Sequence, residues 1–596
     1  MTKRKPAEIV PKPTHAPDYI IGLITLAIGI ALYCFWAFPF RAALSYREQL
    51  QLFQTTGSYL CNLASYPGGL ATYIGEFLTQ FFNNYWIGAA AISILFILPI
   101  ILYYRIIRIF NSSSPKFTAY LLALIPSASL WLFFGNPNVT LSFITASVIV
   151  IAGCYLFISL NRQLRTSGSY LLTIIMTSLS YWIAGPITII FTLLTSSYIC
   201  SRTKTTSLDK IIFPLISLIW LGINIFVWSL KVTFPLSYQL IGIGYLMTPA
   251  ILESGQIMVE ALFVIVPLIS LLLTGIRQKI TTPLLLIAEI ICVVILFPKA
   301  YDSATYRLID YDYMVRTNNW DDIISYSNRH DPDLPLSVSA TNLALGMKGE
   351  LDSRAFGYFQ HGTEGLIPPF AKETLSSWTT GEIFFQLGMI NSAQRFYFEG
   401  MEAIPNYNKS SRAIRRLAET AMIRGEYAIA EKYLHLLENT LFYKKWAQRN
   451  LSLIKDPKGV ENHPLYGRLR NRMVDEEYMF SDPEIDKTLG QLFLKDPGNI
   501  LARQYLIVYP LLQRNLDKFM QYMGVVAEKD KNYNPLLAQQ ALAFLSMKNG
   551  SPLPKGVVSP AVEQSLREFA KAWTTKNQEN INPYRHTLFH YLLSNE

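Results

Sequence analysis

Two carboxylates stand in runs otherwise apolar enough to cross a bilayer, Glu260 and Glu289, and neither shares its run with a lysine or arginine. A carboxyl group in hydrocarbon is costly, and is kept where it binds a cation, relays protons or holds a substrate. The same residue also serves as a protonated acid hydrogen-bonded to a neighbouring helix. A second kind of chemistry is offered just past the first apolar run, where Arg47 and Glu48 stand together in SYREQLQLFQ. A Pro67-Gly68-Gly69 break follows, and an amphipathic stretch then carries Glu76 toward the second run. A pair of helices lying on the membrane surface has this same pattern. Other chemistries lack their residues. There is no GxxxxGK[ST], HExxH or GxSxG. The five cysteines (Cys34, Cys61, Cys154, Cys200, Cys292) show no metal spacing, and no histidine lies in an apolar run. His586 and His590, four apart near the end, read as a surface pair. Neither a metal nor a cofactor is expected.

These groups need helices to hold them. The chain has 596 residues, 51% hydrophobic and only 16% charged, with a mean hydropathy of +0.24; soluble domains carry about 25% charged residues. Residues 1–298 hold 17 Lys/Arg against 8 Asp/Glu, and residues 299–596 hold 35 against 34. Such asymmetry points to a membrane and not to nucleic acid. Nine runs approach the roughly 20 residues that a spanning helix needs: Tyr19–Phe40, Tyr85–Tyr104, Phe117–Phe134, Leu141–Leu160, Ser169–Ala184, Pro186–Cys200, Ile211–Leu230, Gln256–Gly275 and Thr282–Pro298. The first has a basic flank and no small-residue cleavage site, so it reads as an anchor.

Loop charge supports the count, because alternate loops should be basic. One set of segments carries Lys3, Arg4, Lys5, Lys12, Arg105, Arg108, Lys116, Arg162, Arg165, Arg202, Lys204, Lys210, Arg277 and Lys279; the other carries only Arg41, Arg47 and Lys231. A single tilted span over Ser169–Cys200 would put Arg162 and Arg202 on opposite sides, so a hairpin is expected there. Lys231–Gly255, rich in Pro and Gly, reads as an interfacial or re-entrant loop. The expected organisation is a cytoplasmic tail over 1–18, a transmembrane domain over 19–298 with a large outer loop at 41–84, and an extracytoplasmic domain over 299–596. In a bacterium this is an inner-membrane protein with a periplasmic C-terminal domain.

From Tyr301 the pattern becomes amphipathic, with apolar residues three and four apart. GEIFFQLGMINSAQRFYFEGMEAIP resembles a tetratricopeptide repeat, with Gly381 and Phe384 on a first helix, Gly388 in the turn, and Ala393 and Tyr397 facing inward on a second. LAETAMIRGEYAIAEKYLHLL brings Gly425, Tyr427 and Ala430 into the same register, and weaker versions surround Trp320, Gly349 and Asn515. Neighbouring hairpins of this kind stack into a solenoid, a common docking surface for a protein partner. The fold class is thus all-α: a polytopic transmembrane bundle of about nine spans, then a tetratricopeptide-like helical-repeat solenoid. Between the repeats, Asp456–Asp482 breaks the period. Its Arg468, Arg470 and Arg472 read as a solvated face more readily than as an anion site.

The arrangement over residues 19–230 resembles the GT-C superfamily of membrane glycosyltransferases. In those proteins a large first outer loop holds juxtamembrane helices, an acid just after the first span, and a proline-containing motif leading to the second. Here Glu48 occupies the acid's place, within Arg47-Glu48-Gln49, and YPGGLATYI looks like the proline motif. The resemblance implies a lipid donor, a polyprenyl-phosphate sugar, with Glu48 as the general base and Glu76 as a second acid. Arg41, Arg47 or Lys231 would hold the departing phosphate. Tyr46, Tyr59, Tyr73, Tyr85 and Trp86 would stack on the sugar or form the interfacial aromatic belt. The whole chain also resembles an uncharacterised family of bacterial polytopic membrane proteins. A membrane-anchored scaffold without catalysis, whose repeats bind a protein, is the alternative.

Overall fold

The computed structural model describes residues 18–594 apart from 165, 203–204, 248–252, 274–277, 406–408, 457, 475–484, 554–555 and 577. The basic residues at 3, 4, 5, 12, 165, 204 and 277, with most of the expected tail, lie outside the described residues. Two compact units divide at residue 303.

Among the described residues thirteen α-helices build the first unit: α1 (Asp18–Ala37), α2 (Arg41–Gln49), α3 (Gly57–Ala64), α4 (Gly69–Gln80), α5 (Tyr85–Phe110), α6 (Lys116–Phe134), α7 (Leu141–Asn161), α8 (Thr166–Ala184), α9 (Thr188–Ser201), α10 (Asp209–Ser229), α11 (Leu236–Ile241), α12 (Ser254–Leu272) and α13 (Gln278–Ala300). Among the described residues eight helical stretches are long and apolar enough to cross a membrane, which makes this a multi-pass membrane protein. One of the eight, Ser167–Ser201, has 35 residues and is broken by a 3-10 turn at Gly185–Ile187, where Gly185 takes φ +62°. Both of its ends return to one residue. Asn161 Oδ1 accepts from Ser169 Oγ at 2.6 Å and from Arg202 at 3.3 Å. A straight helix of 35 residues would separate those ends by about 50 Å. The stretch is therefore a hairpin, α8 one way and α9 back, so the described residues hold nine apolar helices whose successive members alternate in direction.

Loop contacts sort the helix ends into two groups. At one end Thr140 N donates to Tyr245 O at 3.0 Å, Gly68 N to Trp182 O at 3.0 Å, and Tyr301 Oη to Trp131 O at 3.2 Å. At the other, Lys116 pairs with Asp18 at 2.7 Å, Asn111 Nδ2 donates to Ser270 O at 2.6 Å, and Thr118 meets Thr282 at 2.9 Å. Val139 and Leu246 form an isolated bridge, which ties the 231–253 loop into the first end. That loop buries Gln239, Tyr245 and Leu246, and among its described residues the helix is α11, six residues and too few to cross.

The second unit consists of helices joined mostly as antiparallel hairpins, among them Thr374–Leu387 with Ile390–Glu402 and Ser411–Arg424 with Tyr427–Glu438. Gly388 and Gly425 end the first helix of each pair at φ +96° and +83°, a conformation open to glycine at little cost. Ala393 and Ala430 are fully buried where the helices meet. A β-carbon on Gly381 would stand 2.9 Å from Tyr397, so the absent side chain sets the approach. Arg470 donates to the carbonyls of Met422 and Ile423 at 2.7 and 2.8 Å, and Arg472 pairs with Asp496 at 2.7 Å. Both act on the protein's own groups.

Candidate functional site

Within the long 38–84 loop Glu76 pairs with Tyr59. Asn84 caps α5 by accepting from Trp86 N at 3.1 Å, and Thr56 caps α3 by accepting from Tyr59 N at 3.3 Å. The turn between α3 and α4 is set by Gly68 at φ +83° and by Gly69, where a β-carbon would collide with the Leu63 carbonyl. Gly75 lies against the Ser142 backbone, which presses α4 onto α7. Glu76 then faces α3, and the Tyr59 hydroxyl donates to its Oε2. Phe53 lies 5.5 Å from Tyr59 and 5.1 Å from Tyr73 between ring centroids, so the tyrosine that meets the carboxyl belongs to an aromatic cluster. Burial pushes Glu76 up to about 7, with the Tyr59 hydroxyl pulling the other way. Burial, followed by the Glu76 charge, also raises Tyr59 and Tyr66 well above their ordinary value. The side chain is half-buried. A carboxyl of this kind can give or take a proton near neutral pH.

Arg47 and Glu48 lie on α2, 7% and 1% exposed. The Arg47 guanidinium donates to the carbonyls of Phe134 (2.5 Å), Val139 (2.6 Å), Asn136 (3.1 Å) and Pro137 (3.4 Å), and stacks 3.9 Å above the Phe134 ring. It therefore clamps the 134–139 turn. Arg41 and Lys231 are exposed, and Lys231 sits 5.6 Å over Trp228. The Arg47 clamp and the Glu76 cluster are distinct groups on neighbouring short helices.

The two intramembrane acids part company. Glu260 accepts from Gln256 Nε2 at 3.0 Å, and that amide also donates to Ile241 O at 2.9 Å. Glu289 lines a cavity of about 810 Å³ between α1, α6, α12 and α13. No group of three or more His, Cys, Asp or Glu is placed to hold a metal among the described residues.

The spacing of YPGGLATYIGEF shows Tyr73 and Glu76 on one helical face, but the Tyr59 partnership across 17 residues depends on the turn and has no local signature. The four carbonyls under Arg47 leave no trace in the sequence.

A family profile described as "Family of unknown function (DUF6057)" matches residues 17–595. No curated protein and no solved structure matches the chain.

Proposed function

The chain belongs to this family of unknown function, and from the chemistry of its outer loop we propose that it is a membrane transferase of GT-C-like type, moving a sugar from a lipid-phosphate donor to an acceptor outside the cytoplasm. Glu76 is the acid-base group of this reading, in preference to Glu48. The observation that carries it is the Glu76 carboxyl, set near neutrality and hydrogen-bonded to Tyr59 of the aromatic cluster. Glu48, 1% exposed, is less open to a substrate. The ring faces of Tyr59 and Tyr73 are suited to stack on a sugar. Exposed Arg41 and Lys231 remain the cations that would meet a phosphate at the interface.

A deletion strain complemented with variants tests this reading. Loss of a general base costs about a hundredfold to ten-thousandfold in rate. Glu76→Gln should therefore insert and accumulate normally yet leave the lipid-linked sugar unspent, while Glu48→Gln keeps the product. If deleting the chain changes no lipid-linked sugar pool and no surface glycan, the transferase reading falls.

One observation favours the alternative. Phe398, Ile429 and Leu441 are large apolar side chains 40–47% exposed on the helical hairpins. In the scaffold reading these hairpins dock a protein partner and the membrane helices only anchor them.

A further inference from the structure

The cavity that Glu289 enters lies within the membrane half, away from the outer-loop carboxyl. Its volume of about 810 Å³ is enough for an organic ligand. Ile28 and Phe35 of α1, Trp131 of α6 and Met258 of α12 are among its walls, and Glu289 is the one acidic or basic residue among the described residues that line it. α13 packs chiefly on α6, and its outward side chains are exposed, so the cavity adjoins the surface that lipid would cover.

Polar capacity in the cavity is narrow and specific. Ser127 and Ser129 line it, but their hydroxyls donate to the backbone of their own helix, at 3.1 Å to Ala123 O and 2.8 Å to Pro126 O. Two buried polar atoms among the lining residues have no hydrogen-bond partner: Glu289 Oε1 and Trp131 Nε1. Glu289 is the twelfth of 23 residues in α13, about 16 Å from either end. That depth is the middle of a hydrocarbon core roughly 30 Å thick. Phospholipid and polyprenyl-phosphate headgroups stay at the interface and do not reach it. An ionised ligand would have no counter-charge except one carboxyl, and an ionised carboxylate in apolar surroundings is itself prohibitive. The lining thus holds two groups with unmet hydrogen-bonding capacity, the Glu289 carboxyl and the Trp131 indole N–H.

The outer wall is aromatic. Trp131 stacks on Phe297 with centroids 5.7 Å apart and an interplanar angle of 24°, and Phe35 meets Trp131 edge-on at 5.2 Å. Such a wall accepts a flat ring. We propose that this cavity binds an isoprenoid quinone, an uncharged lipid that travels at the bilayer midplane, with its ring toward the Trp131 wall and a carbonyl on Glu289. A quinone carries acceptor carbonyls on a planar ring, and an uncharged Glu289 carboxyl is a donor for one of them. This site stands apart from the transferase reading, since neither Glu76 nor the outer loop takes part in it.

The test is equilibrium binding of radiolabelled decylubiquinone to the purified full chain in neutral detergent. Wild type should bind saturably, and excess phosphatidylglycerol or polyprenyl phosphate should not displace the quinone. Glu289→Leu should weaken binding about tenfold, the scale of a hydrogen bond made out of water. Glu289→Gln, which keeps a donor, should lose much less. Ala128→Phe fills the cavity without touching the acid and should abolish binding, which covers the case in which Glu289→Leu does not fold. Non-saturable binding, equal affinity in Glu289→Leu and wild type, retained binding in Ala128→Phe, or displacement by phosphatidylglycerol overturns the proposal.

Discussion

Gly68 and Gly185 face each other at left-handed φ angles of +83° and +62°, and a β-carbon on Gly185 would lie 3.3 Å from the α-carbon of Gly68. Two tight turns from distant parts of the chain thereby meet, with the Tyr245 hydroxyl 3.3 Å from the same point. Gly185→Ala should lower stability by about 1–2 kcal/mol from the left-handed backbone alone. Gly222→Ala, in α10 where a β-carbon meets nothing within 4 Å, is the control and should be neutral or mildly stabilising. Thermal unfolding of the purified protein compares them, and equal melting would contradict this account.

Arg47 is expected to act on folding. Charge-assisted hydrogen bonds contribute about 1.5–3 kcal/mol each and do not add, so Arg47→Ala should cost about 3 kcal/mol and reduce accumulation in the membrane. Arg47→Lys should rescue little, because one ammonium cannot span four carbonyls in a plane. A normally accumulating Arg47→Ala protein would argue instead for a role on a ligand.

Glu76 should make stability depend on pH in a definite direction. Its native value of about 7 lies above the ordinary 4.5, so the folded state holds the proton more tightly. This contribution is fully present below pH 4.5 and is lost as pH rises through about 7. Glu76→Gln should flatten that part of the stability profile. Tyr59→Phe removes the hydroxyl that lowers the carboxyl, and should move the upper limit of the window to higher pH. Chemical denaturation at a series of pH values reads both effects.

In the second unit the Glu382 carboxylate accepts from Arg416 at 2.6 Å and from Tyr397 Oη at 2.8 Å, and Arg412 pairs with Asp312 at 2.7 Å. Burial alone would raise Glu382, but Arg416, Gln386 and Tyr397 outweigh it and hold the carboxyl below its ordinary value. The pair's contribution is therefore present above the ordinary glutamate pKa and is lost as pH falls through the native one. Arg416→Met strands the buried Glu382 carboxylate and leaves Glu419 to Arg415 alone, and should cost about 3–5 kcal/mol, while Arg416→Met with Glu382→Leu should recover part of that loss. Additive losses in this double-mutant cycle would refute the coupling.

Topology is open to a reporter. Alkaline phosphatase fused after Tyr301 should be active, because basic residues gather on the loops of the opposite end. Activity from a cytoplasmic reporter at the same position would reverse the frame and move the outer-loop chemistry inside.

The helices were largely legible because apolar run length and loop charge are one-dimensional signals. The 185–187 turn shows how far such signals reach: length alone makes 167–201 one stretch, whereas loop charge splits it, as Asn161 does in three dimensions. Side-chain roles were harder to read. Arg47 looks like a surface cation in sequence because its acceptors are backbone carbonyls some ninety residues away. Glu76 stands out only once α3 folds over it and Tyr59 arrives. Trp131 and Glu289 lie on helices far apart in sequence, and only packing puts them on one cavity.

The Asn161 tie has a consequence for how the protein is made. α9 has 14 residues, about 21 Å of helix, well short of a roughly 30 Å core, and Thr188, Thr192 and Thr195 are among its fully buried side chains. A segment so short and so rich in hydroxyls gains little by leaving the insertion channel for lipid on its own. α9 packs against α7 and α8, which are synthesised first, and against α10 and α12, which follow. Its entry into the bilayer thus depends on protein at both sides in sequence: α7 and α8 are there to receive it, α10 and α12 cover it afterwards, and the Arg202–Asn161 contact closes the hairpin once the chain has turned back.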